Sequence, residues 1–243
     1  MRNTNTNPIF TVLAKLLCAH GFYKRGTAFF RITGDGILQV LQYENVKHSW
    51  PHEDINIGLF SLYGPIEPEW LTARGCIPRY NAHWLEEGVK QRYRDVREKG
   101  HATLEEVSSG ECYGINLPFI EYKLIPFLDS VQTQAQLVDA IQLLDREASG
   151  PVAKTIIWND ETKIAPFLHS EQYDKAAFVL ESILNQHAYA KARNQALGFS
   201  VREIDDSNFL CLQKLIRESS YEGIQEYLHR NYTQNLNLTA FLR

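Results

Sequence analysis

The sequence predicts an α+β fold, in which an antiparallel β-sheet packs against helices and is followed by an all-helical C-terminal region. Three observations predict it. Apolar residues recur at helical spacing up to Gly21 and then change to strand spacing. A Gly34-Asp35-Gly36 turn separates two arms rich in β-branched and aromatic residues. Beyond Gly150-Pro151 the helical spacing returns and persists. The expected organisation is an α+β unit over residues 1–150 and a helical region over residues 151–243 packed on it.

The first helix is expected from about residue 8 to 20. Asn7 can cap the free amides, Pro8 loses only an amide that lacks a partner anyway, and Ile9, Val12, Leu13, Leu16 and Leu17 form the buried stripe. Gly21 can adopt the left-handed geometry that ends a helix. Thr27 to Ile32 and Ile37 to Tyr43 then form a hairpin around the Gly-Asp-Gly turn. A polar loop spans Lys47 to Asp54, and Ile55 to Phe60 supplies a third antiparallel strand. Gly64 to Pro78 reads as a long connection.

From Asn81 the pattern is helical, with Leu85, Val89, Tyr93 and Val96 in one stripe and Gly100 at its end. A strand or loop near Cys112 leads to Pro118 and a helix carrying Ile120, Leu124 and Leu128. Thr133 and Gln136 have the spacing of a capping box, in which hydroxyl and amide reciprocally satisfy free backbone amides. Leu137, Val138, Ile141 and Leu144 give that helix its buried face. In the C-terminal region, Ser170 starts a helix with Ala176, Leu180, Ile183, Leu184 and His187 in its stripe. A second helix carries Phe209, Leu212, Leu215 and Ile216, and a third begins at a capping box of Ser219 and Glu222.

Composition narrows the function. The 243 residues carry 25 Lys and Arg against 29 Asp and Glu, a net charge of -4. A nucleic-acid partner needs a concentrated basic surface and is disfavoured. No apolar run approaches the length of a membrane span, so no membrane partner is expected. Cys18, Cys76, Cys112 and Cys211 lie in no CxxC spacing and stand beside apolar residues such as Leu17 and Leu210. They read as reduced, packed thiols of a cytoplasmic protein.

The order of a helix ending in Gly21-Phe22, the basic pair Lys24-Arg25, Gly26, the aromatic pair Phe29-Phe30 and Arg31 resembles the bacterial DUF4304 family, a family of unknown function. The resemblance covers roughly residues 8–130, with either Leu117-Pro118-Phe119 or Ile125-Pro126-Phe127 similar to the family's later helix signature. It implies an antiparallel sheet backed by helices and no established activity. The same block also has a plain structural reading. Phe22, Phe29 and Phe30 are large core anchors, Gly21 and Gly26 are turn residues, and basic side chains over a sheet edge discourage further pairing.

Four sets of residues are candidates for chemistry. Arg31, Gln42 and Asn56 interrupt three strands with polar groups that are costly if buried alone, so they form either an internal network or a binding face. They are expected to act as one unit and are the candidate binding residues. The segment His48 to Asp54 holds two imidazoles and two carboxylates, all competent metal ligands. Pro51 spoils helical convergence of His48 and His52, and no bound metal and no cofactor are expected. Lys90, Arg92, Arg94, Arg97 and Lys99 form a basic run on a solvated helix face, and Cys112 is a minor candidate nucleophile. GxSxG, GxGxxG, P-loop and HExxH patterns are absent from the sequence. The preferred reading is a non-enzymatic binding module with a protein partner, toxin neutralisation being one suitable role. The alternative is a metal-dependent hydrolase centred on His48, His52 and Asp54.

Overall fold

A computed structural model describes residues 7–46, 52–66, 80–85, 104–109, 115–148, 161–197 and 206–240. Helix α1 (Pro8–Ala19) starts as its sequence dictates, with the Asn7 side chain accepting hydrogen bonds from the amides of Ile9 and Phe10 and Pro8 in the first turn. It ends with Gly21 at φ +81°, where the amides of Gly21 and Phe22 donate back to the carbonyls of Cys18 and Leu17. Phe22 is thereby turned into the core, against the layer that α1 buries.

Five strands follow: β1 (Tyr23–Arg25), β2 (Ala28–Thr33), β3 (Ile37–Val46), β4 (His52–Ser61) and β5 (Tyr80–Asn81). They form one antiparallel sheet in sequence order among the described residues. The hairpin and the third strand are thus as the residue pattern predicts, and an α+β architecture results. The basic pair Lys24-Arg25 lies in the short edge strand β1, where charge discourages addition of another strand. Two expectations need correction. His52, Glu53 and Asp54 belong to β4 and not to a loop, because strand pairing of Val46 with His52 and Glu44 with Asp54 extends the ladder past the apolar residues. Asn81 itself pairs with Asn56 in β5, and Ala82–Leu85 is a 3₁₀ turn; the rest of the expected helix, up to Gly100, lies outside the described residues.

The remaining described helices are α2 (Leu104–Ser109), α3 (117–129), α4 (Gln134–Ala148), α5 (Glu161–His169), α6 (Tyr173–Ala196), α7 (Ser207–Arg217) and α8 (Tyr221–Thr239). Both Leu-Pro-Phe-like signatures lie on α3, separated by a π turn at Ile120–Leu124. Pro126 offers no amide and its ring crowds the carbonyl four residues earlier, so the Ile125 amide donates to Ile120 across a wider turn. The capping box at α4 forms in full. The Gln136 amide donates to the Thr133 hydroxyl at 3.2 Å, and the Thr133 amide donates to the Gln136 side-chain oxygen at 3.0 Å.

Two helix starts differ from expectation. Ser170 closes α5 instead of opening α6, because Glu171 at φ +58° turns the chain and the amides of Glu171 and Gln172 return to Leu168 and Phe167. Ser219, at φ +51°, likewise ends α7, so its side chain makes no capping box and Ser220 precedes α8. Cys18 and Cys211 are exposed, contrary to the expected packing. Adjacent helix positions differ by about 100° in direction, so burial of Leu17 says nothing for Cys18.

The sheet has two apolar faces. Phe29, Ile37, Leu41, Ile57 and Leu59 pack against α1, α3 and α4. Phe30, Leu38, Val40 and Phe60, on the opposite face, pack with Tyr232 and Leu238 of α8. A third core joins α5 to α8 and includes Val138 from α4. Two of the three cores therefore draw on residues from both sides of position 150, while 149–160 lie outside the described residues.

Candidate functional site

Register decides the fate of the three polar strand residues. Pairing places Gln42 opposite both Ala28 and Asn56, whereas Arg31 faces Gln39. Side chains alternate along a strand, so Arg31 emerges on the α1 face and Gln42 and Asn56 on the α8 face. The expectation of one unit is corrected: Gln42 and Asn56 are cross-strand neighbours, and Arg31 belongs to a different cluster.

Arg31 has an internal role. Its Nε and Nη2 donate to Oε1 of Gln39 at 3.1 and 2.7 Å, and Nη1 donates to the His20 carbonyl at 3.0 Å and meets Asp129 Oδ1 at 2.7 Å. The guanidinium lies 4.4 Å from the centre of the Phe22 ring. Gln39 is 0% exposed and passes the chain of bonds on, donating to the Leu128 carbonyl at 2.7 Å and the Thr33 hydroxyl at 3.2 Å. This planar cation joins α1, the sheet and α3 through geometry that a lysine cannot reproduce. Gln42 donates to the Thr27 hydroxyl and the Tyr43 carbonyl, and its buried Oε1 has no hydrogen-bond partner among the described residues.

The hairpin turn is a second junction. Asp35 donates its amide to the Gln132 carbonyl at 2.8 Å, and its own carbonyl accepts from the Gln134 side chain. Its carboxylate accepts from the Tyr63 hydroxyl at 2.9 Å, with His169 Nε2 at 3.5 Å from the other oxygen. Tyr63 stacks on Tyr232 with ring centres 4.7 Å apart. Burial, and then the Asp35 carboxylate, push the Tyr63 phenol well above its ordinary pKa, so it remains a donor at neutral pH. The cluster fastens the turn to α4, α5 and α8.

A third cluster fastens α6 to α7. Asp206 meets His187 Nδ1 at 2.7 Å and Lys191 Nζ at 2.8 Å. Burial alone would raise the Asp206 pKa, but the hydrogen bonds and positive charges of Lys191 and His187 outweigh it and hold the carboxyl below its ordinary 3.8. A carboxyl with a depressed folded pKa contributes stability that is present above the unfolded value and lost as pH falls through the folded one. The melting temperature of the wild type should therefore fall more steeply below about pH 4 than that of Asp206→Asn. Parallel melting curves against pH for the two proteins would count against this account.

Among the described residues, no group of three His, Cys, Asp or Glu side chains is placed to hold a metal. His48, Cys112 and the basic run from Lys90 to Lys99 lie outside the described residues. No helix among the described residues is long and apolar enough to cross a membrane.

One open feature of the surface lies on α5 and α6. A groove of about 400 Å³ lies there, lined by Phe167 of α5, by Phe178 and Val179 of α6 and, at one side, by Gln142 of α4. Phe178 is 74% exposed, and Tyr189, three turns further along α6, is 70% exposed. Eleven residues rotate a helix through just over three whole turns, so the two rings stand on one face about 16 Å apart. Sequence patterning passed over this face, since Phe178 falls outside the stripe of α6 that the cores bury. No family model matches the chain, and neither curated proteins nor solved structures give a match.

Proposed function

We propose that the protein is a non-enzymatic cytoplasmic binding module that holds a protein partner on the α5–α6 face. The exposed Phe178 beside an apolar groove is the observation that carries this reading. A phenyl ring left in water stands to gain much of its transfer free energy on association, and aromatic anchors beside a pocket are typical centres of interface energy. Tyr189 extends the same face with a ring that bears a polar tip. Arg31 supports the reading indirectly, because its bonds to Gln39 and the His20 carbonyl tie it to internal partners. Kinship of residues 8–130 with the DUF4304 family is part of the same proposal.

Selection from a displayed peptide library on the folded protein tests it. Peptides should be recovered whose affinity falls at least about tenfold on Phe178→Asp, equivalent to about 1.4 kcal/mol. The melting temperature should stay nearly constant, since an exposed position typically changes stability by less than about 0.5 kcal/mol. Recovery only of peptides indifferent to Phe178→Asp would reject the groove as the binding face.

A further inference from the structure

We infer that the outer edge of β2, where β1 stops short, takes up an extended segment of another protein as an added strand, with an apolar residue of that segment opposite Ile32. The site shares no lining residue with the α5–α6 groove and stands independently of it. The ladder pattern decides which backbone groups are free there. The Tyr43 amide donates to the Thr27 carbonyl at 2.9 Å, and hydrogen-bonded pairs alternate along an antiparallel ladder. Thr27, Phe29, Arg31 and Thr33 therefore bond to β3, while Ala28, Phe30 and Ile32 direct their N–H and C=O groups outward.

Strand β1 has three residues and covers only part of this edge, with Arg25 opposite Ala28 and Tyr23 opposite Phe30. Ile32 is next in line, and its outward N–H and C=O have no partner among the described residues. The chain itself does not fill the place. Before Tyr23 it turns away to α1, where the amides of Gly21 and Phe22 are committed to closing that helix. Gly21 lies beside the Arg31 stem, its absent Cβ 3.8 Å from Arg31 Cδ, on the α1 side of the sheet. What is left is a slot of about 280 Å³ between Gly21 and Tyr23 on one hand and Phe30, Ile32, Leu38 and Thr239 on the other.

The slot specifies its occupant. A free donor and a free acceptor on one strand residue match the carbonyl and amide of one residue of an extended backbone, whereas a helix has both committed internally. Directly opposed residues share a face of the sheet, so the residue opposite Ile32 sends its side chain to the α8 side, beside Phe30, Ile32 and Leu38. An apolar side chain suits those neighbours. Tyr23 blocks one end, which limits the paired stretch to the residues opposite Arg31 to Thr33, about 10 Å. The charges of Lys24 and Arg25 guard β1 and leave this stretch of β2 open.

The blocked peptide acetyl-Thr-Val-Thr-Val-Thr-amide tests this by NMR titration of the isotopically labelled protein. It should shift the amide resonances of Tyr23 and of Arg31 to Thr33, with a Kd of about 1 mM for so short a contact. At saturation, hydrogen exchange of the Ile32 amide should slow about fivefold. A peptide with both valines replaced by aspartate should bind at least about tenfold more weakly, and N-methylation of both valine amides should abolish the shifts. Ile32→Pro removes the outward amide without touching the ladder to β3, since proline is compatible with the open side of a strand, and should weaken the valine peptide about tenfold. If that variant fails to fold, the N-methylated peptide on the unaltered protein still decides. Equal shifts with the N-methylated peptide, or none up to about 10 mM, would overturn the edge site. Shifts confined to Phe167, Phe178 and Val179 would also overturn it while leaving the α5–α6 face intact. A dimer in sedimentation that Ile32→Pro dissolves would identify the occupant as a second copy of this chain and would overturn the partner.

Discussion

Gly34→Ala is expected to destabilise the protein by about 2 to 5 kcal/mol, measured as a lower denaturation midpoint at unchanged slope in urea. Gly34 has φ +46°, and a Cβ placed there would come within 2.0 Å of the Gln132 carbonyl oxygen. That oxygen cannot simply move aside, because it also accepts the Asp35 amide. Left-handed strain and a backbone clash therefore act together. Gly26→Ala separates the two contributions: Gly26 has φ +61° but no atom within 4 Å of the added carbon, so only the strain, about 1 kcal/mol, should appear. Similar losses at both positions would show that the docking of the hairpin turn against Gln132 contributes little.

The second large effect belongs to the Arg31–Gln39 cluster. Arg31→Met and Gln39→Leu should each cost about 2 to 4 kcal/mol, because each strands a buried polar partner that has no water to replace it. In the double variant both partners are apolar, and the total should fall short of the sum by at least about 1 kcal/mol. Arg31→Met combined with Gln42→Leu should instead be additive to within about 0.5 kcal/mol, since the two side chains occupy opposite faces and share no partner. Coupling of Arg31 to Gln42 as strong as its coupling to Gln39 would contradict the register.

How much of this was readable in advance depends on the range of the interaction. The first helix, its Asn7 cap, the hairpin and the Thr133-Gln136 box are set by residues within a few positions of each other, and the sequence patterns locate all of them. The mistaken unit of Arg31, Gln42 and Asn56 had a local remedy. A three-residue turn sets Thr33 against Ile37 and therefore Arg31 against Gln39, two positions further along each arm. Gln39 stands between apolar neighbours just as Gln42 does, so turn length was the missing discriminator. The Gln42–Asn56 pairing had no such signal, because the sequence between β3 and β4, Lys47 to Pro51, contains no glycine turn pattern to set a register.

Helix ends show the same limit. Gly21 advertises a left-handed residue by its chemistry, whereas Glu171 and Ser219 adopt that geometry under the packing of α5 with α6 and α7 with α8. Serine is a better N-cap by propensity, which is why Ser170 and Ser219 read as starts when they lie at ends. The Asp35, His169 and Tyr63 cluster joins three segments far apart in sequence, and the α5–α6 groove exists only once two helices are packed. Neither has a local signature. Phe178 has one in principle: it lies off the apolar stripe of its own helix, and a large aromatic on a polar face asks for an explanation beyond the core.

The cover that α8 lays over the Phe30, Leu38 and Val40 face has a consequence for synthesis. Tyr232 and Leu238, which close over that half of the sheet, are translated almost two hundred residues after it. At about 5 to 20 residues per second, the hairpin waits some ten seconds or more with an apolar surface uncovered. Asn235, which donates to the carbonyls of Leu62 and Gly64, arrives in the same late segment and fixes the position of the lid. These strands must therefore be kept from premature association until α8 has been made, and the charged edge strand of Lys24 and Arg25 is in place beforehand to do so.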